Sequence, residues 1–442
     1  MSTVLCVDFG STFTKAALVE TASGELLARH EVPTTIGTDV LDGYAQIRAA
    51  LAAAGFDQVD EVLACSSAGG GLRLAVVGYE REVTAQAGYR VGLSAGAKVV
   101  HVSAGPMSGP DLGDLRQSRP DIVLLVGGTD GGNAEVLRHN ASRLAKGRIG
   151  APIVVAGNAD AAPAVAELLA STGRRFVVTD NVLPQIGVIA PDAARAAIRA
   201  VFLRHVIGGK GLSRGPEFAE MVQAATPDAV LAGVEVLAQA VAGDVMVVDV
   251  GGATTDVYSA LEPQGEDAGL AKDVVAPLWH ARTVEADLGM RWNAEGVVEA
   301  AQREHLPVPA DLKAYAARLA ADPGHLPVDE GEEELDLVLA RTAAVVAVRR
   351  HARPPSPGSS PRPLADVAHV VGSGGVLRHA TPRRQHAVLA AVANDHAGGW
   401  KVPRSAALST DSAYLLGAVG LLAGAYPVAA RALAERTVGA RS

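Results

Sequence analysis

Short apolar runs broken by polar turns dominate the first 35 residues and predict three strands, Val4–Phe9, Thr14–Val19 and Glu25–Val32. Leu41, Tyr44, Ile47, Ala50 and Leu51 then recur at helical spacing, which predicts a helix from Asp39 to Ala54, and Glu61–Cys65 reads as a further strand. From Gly71 to Asp180 the pattern changes. An apolar run at Gly71–Tyr79 and a helical stretch at Glu82–Ala95 are followed by Val99–Val102, Ile122–Val126, Ile153–Ala156 and Phe176–Thr179. Each of these four runs ends in small or turn residues and leads into helical sequence. Continuous apolar strands alternating with helices predict a parallel sheet covered on both faces. Residues 192–242 read as helical. The acidic stretch His325–Glu334 reads as turn-rich, and the proline-rich stretch Arg349–Pro363 as a surface loop. His369–Val371 reads as a strand, and a buried helix is expected from Ser412 to Ala425.

Within this pattern one motif occurs twice. Val4-Leu-Cys-Val-Asp8-Phe-Gly10-Ser11-Thr12-Phe-Thr14-Lys15 and Val247-Val-Asp249-Val-Gly251-Gly252-Ala253-Thr254-Thr255-Asp256 are each an apolar run, an aspartate, a glycine turn with hydroxyl residues, and a second strand. Such a hairpin holds a carboxylate at a strand end and lets backbone N–H groups approach phosphate without an intervening Cβ. A third turn, Gly372-Ser-Gly374-Gly375, breaks a strand before a helix. The ordered set resembles the actin, Hsp70 and sugar-kinase superfamily: first phosphate loop, second phosphate loop, adenosine loop, connecting helix. The resemblance implies an α/β fold of two actin-like (ribonuclease H-like) ATPase halves around a nucleotide cleft, with an α/β elaboration in the first half. The expected divisions are 1–70, 71–190 and 191–442.

In that cleft Asp8 and Asp249 are the candidate catalytic and Mg²⁺-binding carboxylates, since an octahedral Mg²⁺ keeps several waters and needs few protein ligands. Gly10, Ser11 and Thr12, and Gly251, Gly252, Ala253 and Thr254, are the expected phosphate donors. Lys15 offers a point charge to a terminal phosphate. Gly372, Gly374 and Gly375 are expected at the adenosine of bound ATP. No Gly-x-x-x-x-Gly-Lys-[Ser/Thr] sequence is present, so this is not a Walker A protein.

Composition narrows the partners. A net charge of −9 argues against nucleic acid or an anionic membrane, both of which require a basic face. The hydrophobic fraction of 49 % with only 4 % aromatic residues implies a core of Ala, Val and Leu. Cys6 and Cys65, the only cysteines, form no Cys-x-x-Cys pair and fit a reducing cytoplasm, and the N-terminus lacks the pattern of a secretory leader. The charge-free run Ala413–Ala430 is long enough to suggest a membrane span, but its glycines and Pro427 predict a buried helix instead.

Two further stretches narrow the resemblance. Leu124-Leu-Val-Gly127-Gly-Thr129-Asp130-Gly-Gly-Asn133 and Thr283-Val-Glu285-Ala-Asp287-Leu-Gly289-Met-Arg291, with Asp8–Lys15 and Ser66-Ser-Ala-Gly69-Gly70, resemble the MutL family of accessory proteins of coenzyme-B12-dependent glutamate mutase. This implies an actin-like ATPase serving as chaperone or reactivating factor for B12-dependent mutase subunits. Asp130 and Asp287 are placed either at the metal and cleft rim or in plain structural roles, Asp130 supporting its turn and Glu285 and Asp287 opening a helix. Arg291 is a candidate phosphate contact. A histidine-held cobalamin is not expected, because the nearest run, Asp366-Val-Ala-His369, places its histidine one residue late. The alternatives are a small-metabolite kinase, a hydantoinase A-like ATP-dependent subunit, and an iron–sulfur dehydratase activator. The last is disfavoured by Cys6 lying in a core strand.

Overall fold

Three antiparallel strands, β1 (Thr3–Phe9), β2 (Phe13–Glu20) and β3 (Leu26–Pro33), open the chain. Leu5, Val7 and Phe9 point to one side of the sheet with Ala16 and Leu18, while Val4 and Cys6 point to the other with Ala17 and Val19. Both faces are therefore buried, which explains why β1 is continuously apolar up to its aspartate. Helix α1 (Val40–Ala53) packs Val40, Ile47 and Leu51 on the first of these faces; the Asp39 side chain accepts from the Leu41 N–H at its start. β4 (Glu61–Ser66) then pairs parallel to β1. The structure, a computed structural model, describes residues 2–68, 72–80, 84–95, 97–207, 211–261, 280–354, 361–398 and 402–439. The Gly69-Gly70 turn thus lies outside the described residues, as do residues 355–360 of the expected proline-rich loop.

A separate parallel sheet follows. Its elements in chain order are β5 (Arg73–Gly78), α2 (Thr84–Ser94), β6 (Lys98–Ala104), α3 (Gly109–Gln117), β7 (Ile122–Leu125), α4 (Glu135–Lys146), β8 (Ile153–Val155), α5 (Ala162–Ser171) and β9 (Phe176–Val178). The strand order β6-β5-β7-β8-β9 is that of a doubly wound sheet. The chain continues through α6 (Asp192–Val201), a π-helical turn at Phe202–Ile207 and α7 (Glu217–Met221). Then β10 (Val222–Ala225) pairs parallel to β4. The expected helical reading of 192–242 fails at this strand. Val222-Gln-Ala-Ala has no strand pattern of its own, and pairing with a buried neighbour decides its conformation. The first sheet, β10-β4-β1-β2-β3, thus draws a strand from beyond residue 191.

After α8 (Thr226–Val241) the architecture repeats. β11 (Val245–Val250), β12 (Thr255–Ala260) and β13 (His280–Glu285) form an antiparallel meander. Helices α9 (Ala294–Arg303), α10 (Leu312–Ala321) and α11 (Glu330–Ala352) cover it, and β14 (His369–Ser373) pairs parallel to β11. α12 (Gly375–Arg378), α13 (Pro382–Ala393), β15 (Ala407–Thr410), α14 (Leu416–Leu422) and α15 (Pro427–Gly439) complete the chain. The order β13-β12-β11-β14-β15 matches that of the first sheet strand for strand. The fold is therefore α/β, two ribonuclease H-like halves of the actin type.

Other expectations are corrected here. The acidic stretch His325–Glu334 enters a helix: Asp329 accepts from the Glu332 N–H at 2.9 Å, and Glu330, Glu332 and Glu333 sit at the positive end of its dipole. The surface loop expected at Arg349 begins later, because α11 runs to Ala352 and buries Arg349 against Asp395. The single helix expected over Ser412–Ala425 is the short α14, and Pro427 starts α15. No helix among the described residues is long and apolar enough to cross a membrane.

α8 and α14 lie between the two sheets. Their Leu231, Val234 and Val419 pack with Val4 and Cys6 from β1 and Val245 and Val247 from β11 in one shared core. The helices touch backbone to backbone: a Cβ on Gly233 would overlap the Leu416 carbonyl, and one on Gly420 the Ala229 carbonyl.

Candidate functional site

Both glycine hairpins close in the same way. Gly10 N–H donates to the Phe13 carbonyl at 3.1 Å, and Gly251 N–H to the Thr254 carbonyl at 2.9 Å. Most carbonyls of the two turns are tied back into protein. Thr34 donates through Oγ1 to Gly10 O and through its N–H to Thr12 O, both at 2.8 Å. In the second turn, Met290 N–H donates to Gly251 O at 3.0 Å, Arg291 N–H to Gly252 O at 2.8 Å and Asn293 Nδ2 to Ala253 O at 2.8 Å. With carbonyls engaged, N–H groups make up much of the remaining polar edge of each tip, which is the chemistry of an anion cradle. Ser11, Thr12, Gly252 and Ala253 are exposed at these tips.

The third turn lies against the second hairpin. Ser373 pairs with Asp249, and Gly374 follows with φ +96°. A Cβ at Gly374 would overlap the Val250 carbonyl and lie 2.8 Å from Asp249 Oδ1, so only glycine fits there. Gly375 faces open space. The four residues of α12 carry Arg378 to an ion pair with Glu31 on β3, linking the two halves.

Between the halves, Asp8 stands beside Lys15 in the β1–β2 register, and Asp249 beside Asp256 in the β11–β12 register. Thr226 Oγ1, at the start of α8, donates to Asp8 Oδ1, and Cys65 Sγ lies 3.5 Å from the same oxygen. Burial raises the Asp8 carboxyl above its ordinary range, offset in part by Lys15 and these two donors. Burial and the neighbouring Asp256 push Asp249 up to about 6, again offset by Lys15 and by the Tyr414 hydroxyl. Tyr414, with φ +59°, donates to Asp249 Oδ2 at 3.4 Å, while the Lys15 ammonium sits 3.2 Å from its ring centre. Asp411 anchors this corner, accepting from the Leu415 N–H at 2.9 Å and the Leu416 N–H at 3.1 Å.

The carboxylate set fits a hard cation that keeps most of its water. No cluster of three His, Cys, Asp or Glu ligands occurs among the described residues, and the buried Asp256 Oδ1, across from Asp249, lacks a hydrogen-bond partner.

Four of the sequence candidates have structural tasks. Asp130 Oδ1 accepts from the Ala159 N–H at 2.9 Å and Asn181 Nδ2 at 2.8 Å, supporting its own glycine turn far from Asp8 in sequence. Glu285 ends β13 and Asp287 lies in the turn beyond, so neither opens a helix; both accept from Arg350. Arg291 pairs with Asp336 at 2.9 Å and braces the second turn through its backbone. Conversely, Thr226, Cys65, Asp256, Arg378 and Tyr414 were not singled out from the sequence. Asp256 had a signal, lying within the repeated motif. Thr226 is 218 positions from Asp8 and had none.

Adjoining Asp8 and Lys15 is a cavity of ≈ 240 Å³ between β1–β3, α14 and Arg378. Both cysteines nearby, Cys6 and Cys65, are buried and free.

The sequence model of the MutL protein family matches residues 4–438. Protein MutL of Clostridium tetanomorphum is 34 % identical over 447 residues, covering 96 % of each chain. Looser likenesses are to nucleotide-free acetone carboxylase, at 14 % identity and TM-score 0.40 over 96 % of this chain and 70 % of that one. A further one is to component A of the (R)-2-hydroxyglutaryl-CoA dehydratase of Acidaminococcus fermentans, at 11 % identity and TM-score 0.32 over 98 % of this chain and 99 % of that one. At such TM-scores neither bears on activity.

Proposed function

The chain belongs to the MutL family, and we propose that its cleft binds and slowly hydrolyses Mg-ATP, driving an accessory protein of a coenzyme-B12-dependent amino-acid mutase such as glutamate mutase. The observation that carries the ATPase reading is the pairing of Asp8 and Asp249. They occupy equivalent strand ends of two sheets of equal topology, and Lys15 acts electrostatically on both.

Phosphoryl transfer depends on positioning and charge stabilisation more than on covalent chemistry. Gly10, Ser11 and Thr12 cradle one side of the polyphosphate, and Gly251, Gly252, Ala253 and Thr254 the other. Lys15 leaves the Tyr414 ring to meet the terminal phosphate. Gly372, Gly374 and Gly375 form the edge over which the nucleoside lies, Gly375 facing open space. Asp8 and Asp249 would hold Mg²⁺, and the ion when bound would neutralise phosphate charge. Asp249 also orients the attacking water. Nucleotide binding closes the halves about α8 and α14, and the parallel sheet of residues 73–178 gives a client surface that moves with them. The mutase would be opened on that surface and relieved of damaged cobalamin.

Isothermal titration with Mg-ATP tests the cleft, and absence of binding by folded protein refutes it. Asp249→Ala should retain nucleotide and lose turnover, because its carboxylate acts mainly in the transition state. Titration with and without a purified mutase, free and cobalamin-inactivated, tests the client. Unchanged affinity and turnover, with no complex on gel filtration, would leave an ATPase without this partner. Transfer of phosphate to a small metabolite rather than water would favour the kinase reading, for which the cavity beside Asp8 is the supporting observation.

A further inference from the structure

The cavity beside Asp8 is lined by none of the glycine-turn residues; with the cleft it shares Asp8, Lys15 and Tyr414. Its apolar lining includes Ala17 on β2 and Ala418 and Leu421 on α14, and its charged lining includes Arg29 and Glu31 from β3 and Arg378 from α12. The Arg378 side chain is only 10 % exposed. The charged lining is thus Lys15, Arg29 and Arg378 with Asp8 and Glu31, and Lys15 also acts on Asp249 and Asp411 beyond the lining. Arg29 and Arg378 bring two guanidinium groups to the lining, and the planar fork of an arginine is the donor that suits a carboxylate.

A glycine explains where the space comes from. Gly233 and Gly420 are demanded by packing, since a Cβ on either would overlap main chain. Gly417 is different: a Cβ there would meet only Val230 Cγ2, at 3.9 Å. A glycine inside a helix lowers stability relative to alanine, yet neither close contact nor a left-handed backbone calls for one here. What Gly417 provides is volume, because it lines the cavity.

We propose that this cavity binds a small aliphatic carboxylate, its carboxylate between Arg29, Arg378 and Lys15 and its apolar body on Ala17, Ala418 and Leu421. At ≈ 240 Å³ the space suits a small ligand. It is smaller than the ~300–1,000 Å³ of drug-sized sites. The occupant lies next to Asp8 and Lys15, so it and a ligand in the cleft would influence each other reciprocally.

The test uses the full chain and butyrate as probe, with butyramide and butylammonium as matched controls, followed by titration calorimetry and ligand-observed NMR without nucleotide. Butyrate should bind saturably, at roughly millimolar dissociation constant for a ligand of this size, and the controls should not. Arg378→Gln should weaken binding tenfold or more. Gly417→Val should abolish it without lowering the unfolding temperature. Should the valine variant not fold, Gly417→Ala, for which the 3.9 Å space suffices, should weaken binding several-fold. No saturable butyrate binding, equal binding of butyramide, or wild-type affinity in the Gly417 variant overturns the proposal. None of these measurements needs Mg-ATP, so failure here and failure of the nucleotide reading are told apart.

Discussion

The Tyr414 hydroxyl donates to Asp249 Oδ2 at 3.4 Å while the Lys15 ammonium rests 3.2 Å from the centre of the same ring. One side chain thereby holds the carboxylate of the second half and the cation of the first. Releasing Lys15 from the ring costs about 1 kcal/mol, or about fivefold in affinity. Tyr414→Gly, which also suits the left-handed backbone, should tighten Mg-ATP binding by about that factor. Tyr414→Phe keeps the ring but removes a donor that lowers the Asp249 pKa, so its loss of Mg-ATP binding in acid should set in at higher pH than in the wild type. Equal affinities of the three proteins at every pH would remove Tyr414 from the site.

Asp249 also makes stability depend on pH. Its carboxyl titrates at about 6 in the folded chain against an ordinary 3.8. The native state therefore favours the protonated form, and the stability this gives is full below about pH 4 and lost as pH rises through 6. Asp249→Asn should be more stable than the wild type at pH 8, on the order of 1–2 kcal/mol, and nearly equal to it at pH 4. Urea midpoints at the two values measure this. Saturating Mg-ATP should stabilise both proteins, because the Asp249 variants retain nucleotide.

Thr226→Val preserves volume and deletes the donor to Asp8 Oδ1. The carboxylate loses a bond that favours its charged form, so Mg-dependent nucleotide affinity should fall roughly tenfold, about the strength of a hydrogen bond to a charged group. Thr226→Ser should restore it. Calorimetry with and without Mg²⁺ separates this from general loss of fold.

Gly420→Ala and Gly233→Ala place a methyl group against a carbonyl of the facing helix. Each should lose about 1–3 kcal/mol of stability or more, as overpacked sites do, seen as a lowered denaturation midpoint. The outcome contrasts with tolerance at Gly417, one turn away.

The legible parts of this protein were those coded locally. An apolar run, an aspartate and a glycine turn sufficed to find the Asp8 and Asp249 hairpins, and their repetition showed the doubled fold. Long-range partners were not legible. Thr226 reaches Asp8 only because β10 returns the chain to the first sheet, and Val222–Ala225 has too few residues to declare itself a strand. Tyr414 resembled one more apolar helix residue, whereas its φ of +59° turns the ring into the cleft. The acidic residues before Leu335 read as a turn because charge density favours solvent, yet the same charges stabilise the start of α11.

The bare contact of α8 with α14 has a mechanical consequence. With Gly233 under Leu416 and Gly420 under Ala229, no side chain lies between the two backbones to compress or slide. Such a joint is an axle: it lets two leaves turn but resists pulling them apart. Work done in turning them falls on the side contact, where Glu31 grips Arg378. The latch is then electrostatic and the bearing steric, so raising ionic strength should speed opening, as fluorophores placed on the two leaves would report, and leave the axle untouched.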